Sequence, residues 1–148
     1  MTGDLDLVRR LAAADQGLAV VSTTRPDGSV HSSLVNAGVF DHPLTKEPTV
    51  AFVAQGSAYK LRLLAAAGRA NAVFRSGWQW VSVEGPVEII GPDHPAAGFP
   101  AGGLPQLLRD IFTAAGGTHD DWAEYDRVMA EERRTAVFVT PARVTTSG

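Results

Sequence analysis

Short apolar runs rich in valine and other β-branched residues, separated by turn signals, dominate the hydrophobic pattern of this chain. They predict strands at residues 18–24, 29–40, 49–54, 69–75 and 78–90, with a last strand or two within 135–144. Apolar positions at helical spacing predict helices at 4–16, 58–67, 106–115 and 118–134. Because turns join most consecutive strands, the pattern predicts a mainly β fold with α, an antiparallel barrel of six to seven strands with helices packed outside.

Some element boundaries carry specific signals. Ser57 is placed to cap the helix that follows it, and Gly68 is placed to end that helix. Thr118 and Asp121 have the spacing of a capping box for the last helix. The Gly-Pro step at 85–86 predicts a bend in the longest strand.

Length and composition narrow the class of protein. A chain of 148 residues predicts a single domain covering residues 1–148. The net charge of −3 argues against a nucleic-acid partner or an anionic membrane surface. The absence of cysteine excludes disulfides, thiolate nucleophiles and iron–sulfur clusters, and the four scattered histidines predict no metal site. Neither a secretory leader nor a long apolar span is present, so we expect a cytoplasmic protein with no membrane segment.

Lys60 and Arg62 follow a buried strand in a chain that is acidic overall. With Ser57 as the N-cap, the free amides of the first helical turn would point outward together with these two cations. Amides and cations in that arrangement form a phosphate cradle. The alternative is a solvated helix face, and the spacing alone does not decide between the two.

Two strands carry further candidate residues. On the strict alternation of a strand, His31 and Ser33 share one face of the second strand, and Asn36 lies on the other. Their polar groups suit a planar heteroaromatic ligand or, equally, bridges to neighbouring strands. Trp78 and Trp80 are expected to share the outer face of their strand, covered by a helix, a second subunit or a flat aromatic ligand.

Four segments carry a resemblance to a known family. They are "STTRPDGSVHSSLVNAGVFDHP", "AYKLRLL", "GWQWVSVEGPVEIIGPDHP" and "GGTHDDWAEYDRVMAEERRTAVFVTPARV". In this order they resemble the split β-barrel flavin and deazaflavin oxidoreductases, relatives of pyridoxamine 5′-phosphate oxidase, and most of all the actinobacterial coenzyme F420-dependent branch. The resemblance implies a homodimer with two cofactor sites at the subunit interface.

The resemblance also implies roles for particular residues. The positions that match the family's phosphate-binding residues are Gln55, Ser57, Lys60 and Arg62. Those that match its ring-side strand are His31, Ser33 and Asn36, and Trp78 matches a tryptophan contributed near the cofactor across the dimer. Members commonly carry arginine where this chain has Tyr59.

The function implied is that of an F420-dependent oxidoreductase, which transfers a hydride between reduced deazaflavin and an electron-poor small organic acceptor. An FMN-dependent oxidoreductase of the same fold and a non-catalytic deazaflavin- or flavin-binding protein are the alternatives. The chain shows no recognisable catalytic triad, and His31 is the candidate for a proton donor because it is the one histidine on the ring-side strand.

Overall fold

The computed structural model describes residues 2–146, which form four helices and seven strands. The helices are α1 (Thr2–Ala14), α2 (Tyr59–Ala67), α3 (Leu104–Ala114) and α4 (Trp122–Glu131), with a short 3₁₀ turn at Ala101–Gly103. The strands are β1 (Leu18–Thr24), β2 (Val30–Asp41), β3 (Pro48–Ala54), β4 (Arg69–Ser76), β5 (Gln79–Ile90), β6 (Thr135–Val139) and β7 (Arg143–Thr146). The predicted class, mainly β with α, is confirmed.

Six strands close into a barrel. They are hydrogen-bonded in the order β4-β1-β2-β3-β6-β5, every pairing is antiparallel, and β5 returns to pair with β4. The seventh strand, β7, pairs with the first half of β5 outside the closed ring. Closure removes the exposed edges that valine-rich strands would otherwise present.

The two longest strands change partners midway. In β2, residues 30–36 pair with β1 and residues 37–41 pair with β3. In β5, residues 79–86 pair with β4, and residues 87–90 pair with β6. This second change falls at the Gly-Pro step, where a side chain on Gly85 would overlap the carbonyl oxygen of Thr140.

Apolar side chains form two cores on opposite sides of the sheet. The interior core packs α1 and α2 against inward-facing residues such as Phe52, Phe74 and Val137. The outer core packs α3 and α4 against the opposite face of β3 and β6, where Phe138 points. Strand β6 is therefore buried on both faces. Among the described strand residues, the exposed large apolar side chains lie on the outer face of β1 and of the first halves of β2 and β5, and Val20 and Leu34 are two of them.

Three local predictions are wrong. The N-cap of α2 is Ala58, without a side-chain cap, so Ser57 does not cap the helix. Helix α4 begins at Trp122, and Asp121 caps it by accepting a hydrogen bond from the Glu124 amide at 3.1 Å, so Thr118 lies outside the helix. The prediction for Gly68 is confirmed, since it ends α2 in the left-handed conformation at φ 70°.

The third wrong prediction concerns the tryptophans. Trp78 lies in the two-residue turn between β4 and β5, where Ser76 pairs with Gln79. It is 96% exposed, whereas Trp80 lies on the strand and is 36% exposed. A residue in the turn escapes the alternation of the strand, so the two rings do not share a strand face.

Candidate functional site

A cleft of about 320 Å³ lies on the outside of the barrel, where α3 and α4 stop covering β2. Its volume falls within the range that small-molecule sites occupy. Two cations, Lys60 from α2 and Arg134 from the turn after α4, line it together with Asn36 of β2. The remaining walls are mostly apolar or aromatic and come from β2, β3, α3 and α4: Leu34, Val35, Val53, Ile111, Phe112, Ala115, Tyr125 and Met129.

Lys60 is a half-buried cation without a counter-ion. Within residues 2–146 it forms no ion pair. Partial burial lowers the pKa of its ammonium group, and the nearby guanidinium of Arg134 lowers that pKa further. Two like charges beside apolar walls destabilise each other, and a bound anion would relieve that repulsion.

Arg134 is held in place by an acid two residues before it in the sequence. Its Nε donates to Glu132 Oε1 at 2.8 Å, and the two side chains are only 30% and 35% exposed. The preceding residue, Arg133, points elsewhere and forms a two-pronged ion pair with Asp93. Of the two arginines after α4, Arg134 thus lines the cleft and Arg133 lies on the surface.

The loop after β3 brings these two cations together. The Gly56 amide donates to the Glu132 carbonyl at 3.1 Å, so the start of the α2 segment touches the turn that carries Arg134. A side chain on Gly56 would stand 2.6 Å from the Arg133 carbonyl oxygen, closer than real contacts allow. Glycine at this position is therefore what permits Lys60 and Arg134 to share a cleft.

A larger groove of about 700 Å³ adjoins the cleft, and Asn36, Phe112 and Ala115 line both. Its floor is built largely from small residues, among them Gly17 and Gly38. The Asn36 amide donates to the Gln16 carbonyl at 2.8 Å, which fixes the side chain at the junction. The cleft and the groove together could hold an extended ligand that has a charged arm and a ring.

Arg62 does not join Lys60. Its guanidinium lies over the ring of Tyr59 at 5.5 Å, and it lines a separate groove of about 410 Å³ that also contains His94. His31 meets the other side of this cluster, with its ring edge-on to Tyr59 at 5.3 Å. The structure therefore places Tyr59 between Arg62 and His31, outside the Lys60 cleft.

The remaining predicted site residues are dispersed. Ser33 points to the face of β2 opposite Asn36, and its buried hydroxyl has no hydrogen-bond partner. Gln55 and Ser57 are exposed on the loop before α2, and the exposed Trp78 sits at the tip of its hairpin. Of the eight predicted cofactor-binding residues, the cleft brings together Lys60 and Asn36.

Residues 2–146 show neither a metal-binding cluster nor a membrane-spanning helix. No group of three or more histidine, aspartate or glutamate side chains in this range is arranged to hold a metal ion. No helix in the same range has the length and apolar character needed to cross a bilayer.

Comparisons with known proteins identify the fold. No protein-family model matches the chain, and no curated protein matches its sequence. Among solved structures, it resembles an F420 reductase with a TM-score of 0.61 and 15% identity, over 89% of this chain and 91% of the reductase. It resembles a pyridoxamine 5′-phosphate oxidase-related, FMN-binding protein from Nostoc punctiforme PCC 73102 with a TM-score of 0.62 and 10% identity, over 98% and 80% of the two chains.

A third structure with this fold has another ligand. It is a haem-binding protein from Mycobacterium smegmatis, with a TM-score of 0.63 and 17% identity over 98% of this chain. The chain spans 54% of that protein's length. At such identities the likeness establishes the fold, a split β-barrel that these three proteins share with this chain, and it does not extend to what this chain binds.

Sequence reasoning missed Arg134, together with the aromatic and methionine side chains of α3 and α4 that line the cleft. In the sequence, an arginine at the end of a helix needs no ligand to explain it, because a cation there complements the helix dipole. No local signal distinguishes it from Arg133, because the difference lies in which acid each side chain reaches after the turn folds against Gly56.

Proposed function

We propose that this chain is a deazaflavin-dependent oxidoreductase that transfers a hydride between reduced coenzyme F420 and an electron-poor small organic acceptor. The observation that supports it most is Lys60, a half-buried cation that faces an open cleft without a carboxylate partner among the described residues. An anion-binding position is the simplest role for such a charge. The split-barrel fold and the sequence resemblance make a phosphorylated flavin-type cofactor the first candidate for that anion.

The residues of the cleft fit such a cofactor. Lys60 would hold its phosphate, and Asn36, fixed by the Gln16 carbonyl, would present its amide oxygen where the two grooves meet. The apolar side chains of α3 and α4 would exclude water from the bound arm. The cofactor supplies hydride transfer when bound, so the protein's part is binding and orientation.

His31 lies too far round the strand to donate a proton at this cleft. It lies on the opposite face of β2 from Asn36 and packs against Tyr59. Tyr125 lines the cleft, but burial raises its pKa to about 12 and its hydroxyl donates to the Leu108 carbonyl at 3.2 Å. The proton that accompanies hydride transfer would therefore come from solvent or from groups around the bound acceptor.

A homodimer is part of the proposal. The outer face of β1 and the first half of β2 carries Val20, Val30 and Leu34, which are 43%, 60% and 60% exposed. Neighbouring exposed apolar side chains of this kind mark an interaction surface. Leu34 belongs both to this face and to the cleft, so a partner seated there would extend the cofactor site.

The test is a titration of the purified protein with F420 and with FMN, followed by fluorescence, and then assay of reduced F420 oxidation with quinone, enone and tetrapyrrole acceptors. Lys60→Ala removes a charge-assisted contact and is expected to weaken cofactor binding by about 1.5–3 kcal/mol. Lys46→Ala is the matched control, because Lys46 is the only other lysine and donates to the Pro43 carbonyl in a distant loop. Equal dissociation constants for wild type and Lys60→Ala would place the phosphate elsewhere.

The two alternatives have distinct outcomes. Tight FMN binding with none for F420 would favour an FMN-dependent oxidoreductase of the same fold. Binding of F420 without turnover by any acceptor would favour a non-catalytic binding protein. Tyr59 keeps both alternatives open, because it supplies an aromatic ring where the resembled family commonly carries a phosphate-binding arginine.

A further inference from the structure

The acidic partner of Arg134 determines how much positive charge the cleft offers. Lys60 and Arg134 contribute two positive charges, and Glu132, bound to Arg134 at 2.8 Å, contributes one negative charge. The formal net charge of this trio is therefore +1. Both members of the ion pair are partly buried, so the pair is less screened by solvent than a fully exposed one.

The neighbouring charges do not alter this balance. Arg133 is neutralised by Asp93, and Glu131 by Arg127. Asp126, which follows the cleft residue Tyr125, binds Arg109. Among the ion pairs of the described residues, Glu132 is thus the acid that binds a cation of the cleft.

Phosphorylated cofactors differ in the charge they bring to such a site. FMN ends in a phosphomonoester, which carries close to two negative charges at pH 8 because its second pKa is about 6. Coenzyme F420 carries its phosphate as a diester, with one negative charge. A site of net charge +1 matches the diester, whereas a monoester would leave uncompensated negative charge beside Glu132 and apolar walls.

We propose that Glu132 is a specificity-determining residue of this cleft: by pairing with Arg134 it limits the net charge to +1 and so favours a singly charged phosphodiester over a doubly charged phosphomonoester. Glu132 acts through Arg134 and does not itself line the cleft. This inference rests on the proposed function, since it assumes that a phosphorylated ligand binds beside Lys60.

The experiment compares two probes that differ by one negative charge and one methyl group, FMN and its 5′-methyl ester, at pH 8. Wild type should bind the ester at least as tightly as FMN. Glu132→Gln should shift the ratio of dissociation constants toward FMN by about fivefold or more, as expected for one charge at the edge of a partly desolvated site. Glu131→Gln removes the same charge one residue away, beside Arg127, and should leave the ratio unchanged.

A second variant protects the test against a folding defect. Arg134→Gln removes the guanidinium on which Glu132 acts and should shift the ratio toward the ester, and thermal melts of all variants report their stability. The inference is overturned if Glu132→Gln behaves as Glu131→Gln does, or if wild type binds FMN more tightly than the ester.

Failure of the proposed function has a different signature. If neither flavin binds wild type, the charge inference is decided with phenyl phosphate and methyl phenyl phosphate, and the proposed function fails only if F420 does not bind either. Binding is then followed by the Lys60 ¹³Cε resonance at millimolar ligand. A preference of Glu132→Gln for the doubly charged phenyl phosphate supports the inference, and no preference or no binding overturns it.

Discussion

Gly56 and Arg133 are so close that a β-carbon on the glycine would stand 2.9 Å from the β-carbon of the arginine. This contact joins the loop after β3 to the turn after α4. Through it, the two cations of the candidate site reach one cleft.

Gly56→Ala should therefore destabilise the protein and disturb the cleft at the same time. The added methyl group forces the two segments apart, which costs about 1–3 kcal/mol of unfolding free energy. Urea unfolding and cofactor titration measure the two effects. Gly102→Ala is the control, because a β-carbon there meets nothing within 4 Å; equal losses in both variants would contradict the role given to the contact.

Lys60→Met should stabilise the protein without ligand. It removes a partly desolvated cation that has no counter-ion and keeps an apolar side chain of similar length. We expect a gain of about 0.5–2 kcal/mol in unfolding free energy, together with loss of phosphate-dependent cofactor binding. Stability that falls in this variant would show that Lys60 has a structural partner.

Arg134→Gln should raise the pKa of Lys60. Burial is the larger cause of the lowered pKa and remains in the variant, so only part of the shift should be recovered. The chain has two lysines, so a ¹³Cε titration resolves both, and Lys46 serves as the internal reference. If the pKa of Lys60 does not change in this variant, the two cations do not interact, and the idea that they form one anion site is contradicted.

The same lowered pKa has a consequence for stability. At pH values between the folded pKa of Lys60 and its ordinary value of 10.5, the unfolded chain binds more protons than the folded one. Through this group, stability rises as pH increases across that window. The rise should be smaller in Arg134→Gln and absent in Lys60→Met.

Tyr125 should act in the opposite direction at high pH. Burial raises its pKa from 10.0 to about 12, so the folded state retains a proton that the unfolded chain loses. Its contribution to stability is complete below pH 10 and is lost as pH rises toward 12. Tyr125→Phe should remove this alkaline loss, and should cost about 0.5–1.5 kcal/mol at neutral pH because the bond to the Leu108 carbonyl is gone.

Val20→Glu should prevent the proposed dimer. Val20 is 43% exposed on the outer face of β1 and does not line the cleft. A carboxylate buried at a subunit contact is strongly unfavourable, so sedimentation should show a monomer. Leu44→Glu is matched in exposure, at 40%, but lies in the loop before β3; if both variants remain dimeric, the interface lies on another surface.

The barrel was predictable because its strands alternate or are continuously apolar over their whole length. Val81 and Val83 point inward on the alternation that the sequence predicts, and β6 reads as a run buried on both faces. The ends of the helices were harder to predict, since Ser57 and Thr118 have the right chemistry for caps but the N-caps are the later residues Ala58 and Asp121.

The site was only half predictable. Lys60 has a local signal, a cation just after a buried strand, and Asn36 has the signal of an amide in mid-strand. Arg62 has the same local signal as Lys60 but turns onto Tyr59. Arg134 joins Lys60 through a contact between distant segments, and such contacts leave no trace in periodicity or spacing.

Strands β5 and β6 are hydrogen-bonded to each other although α3 and α4 intervene in the chain between them. That intervening stretch supplies one wall of the cleft and ends at Arg134, yet contributes no strand to the closed ring. What the ring requires of it is the apolar cover that α3 and α4 give to β3 and β6, so the residues that line the cleft can change while the barrel persists. Proteins with this architecture should therefore diverge in what they bind faster than in how they fold.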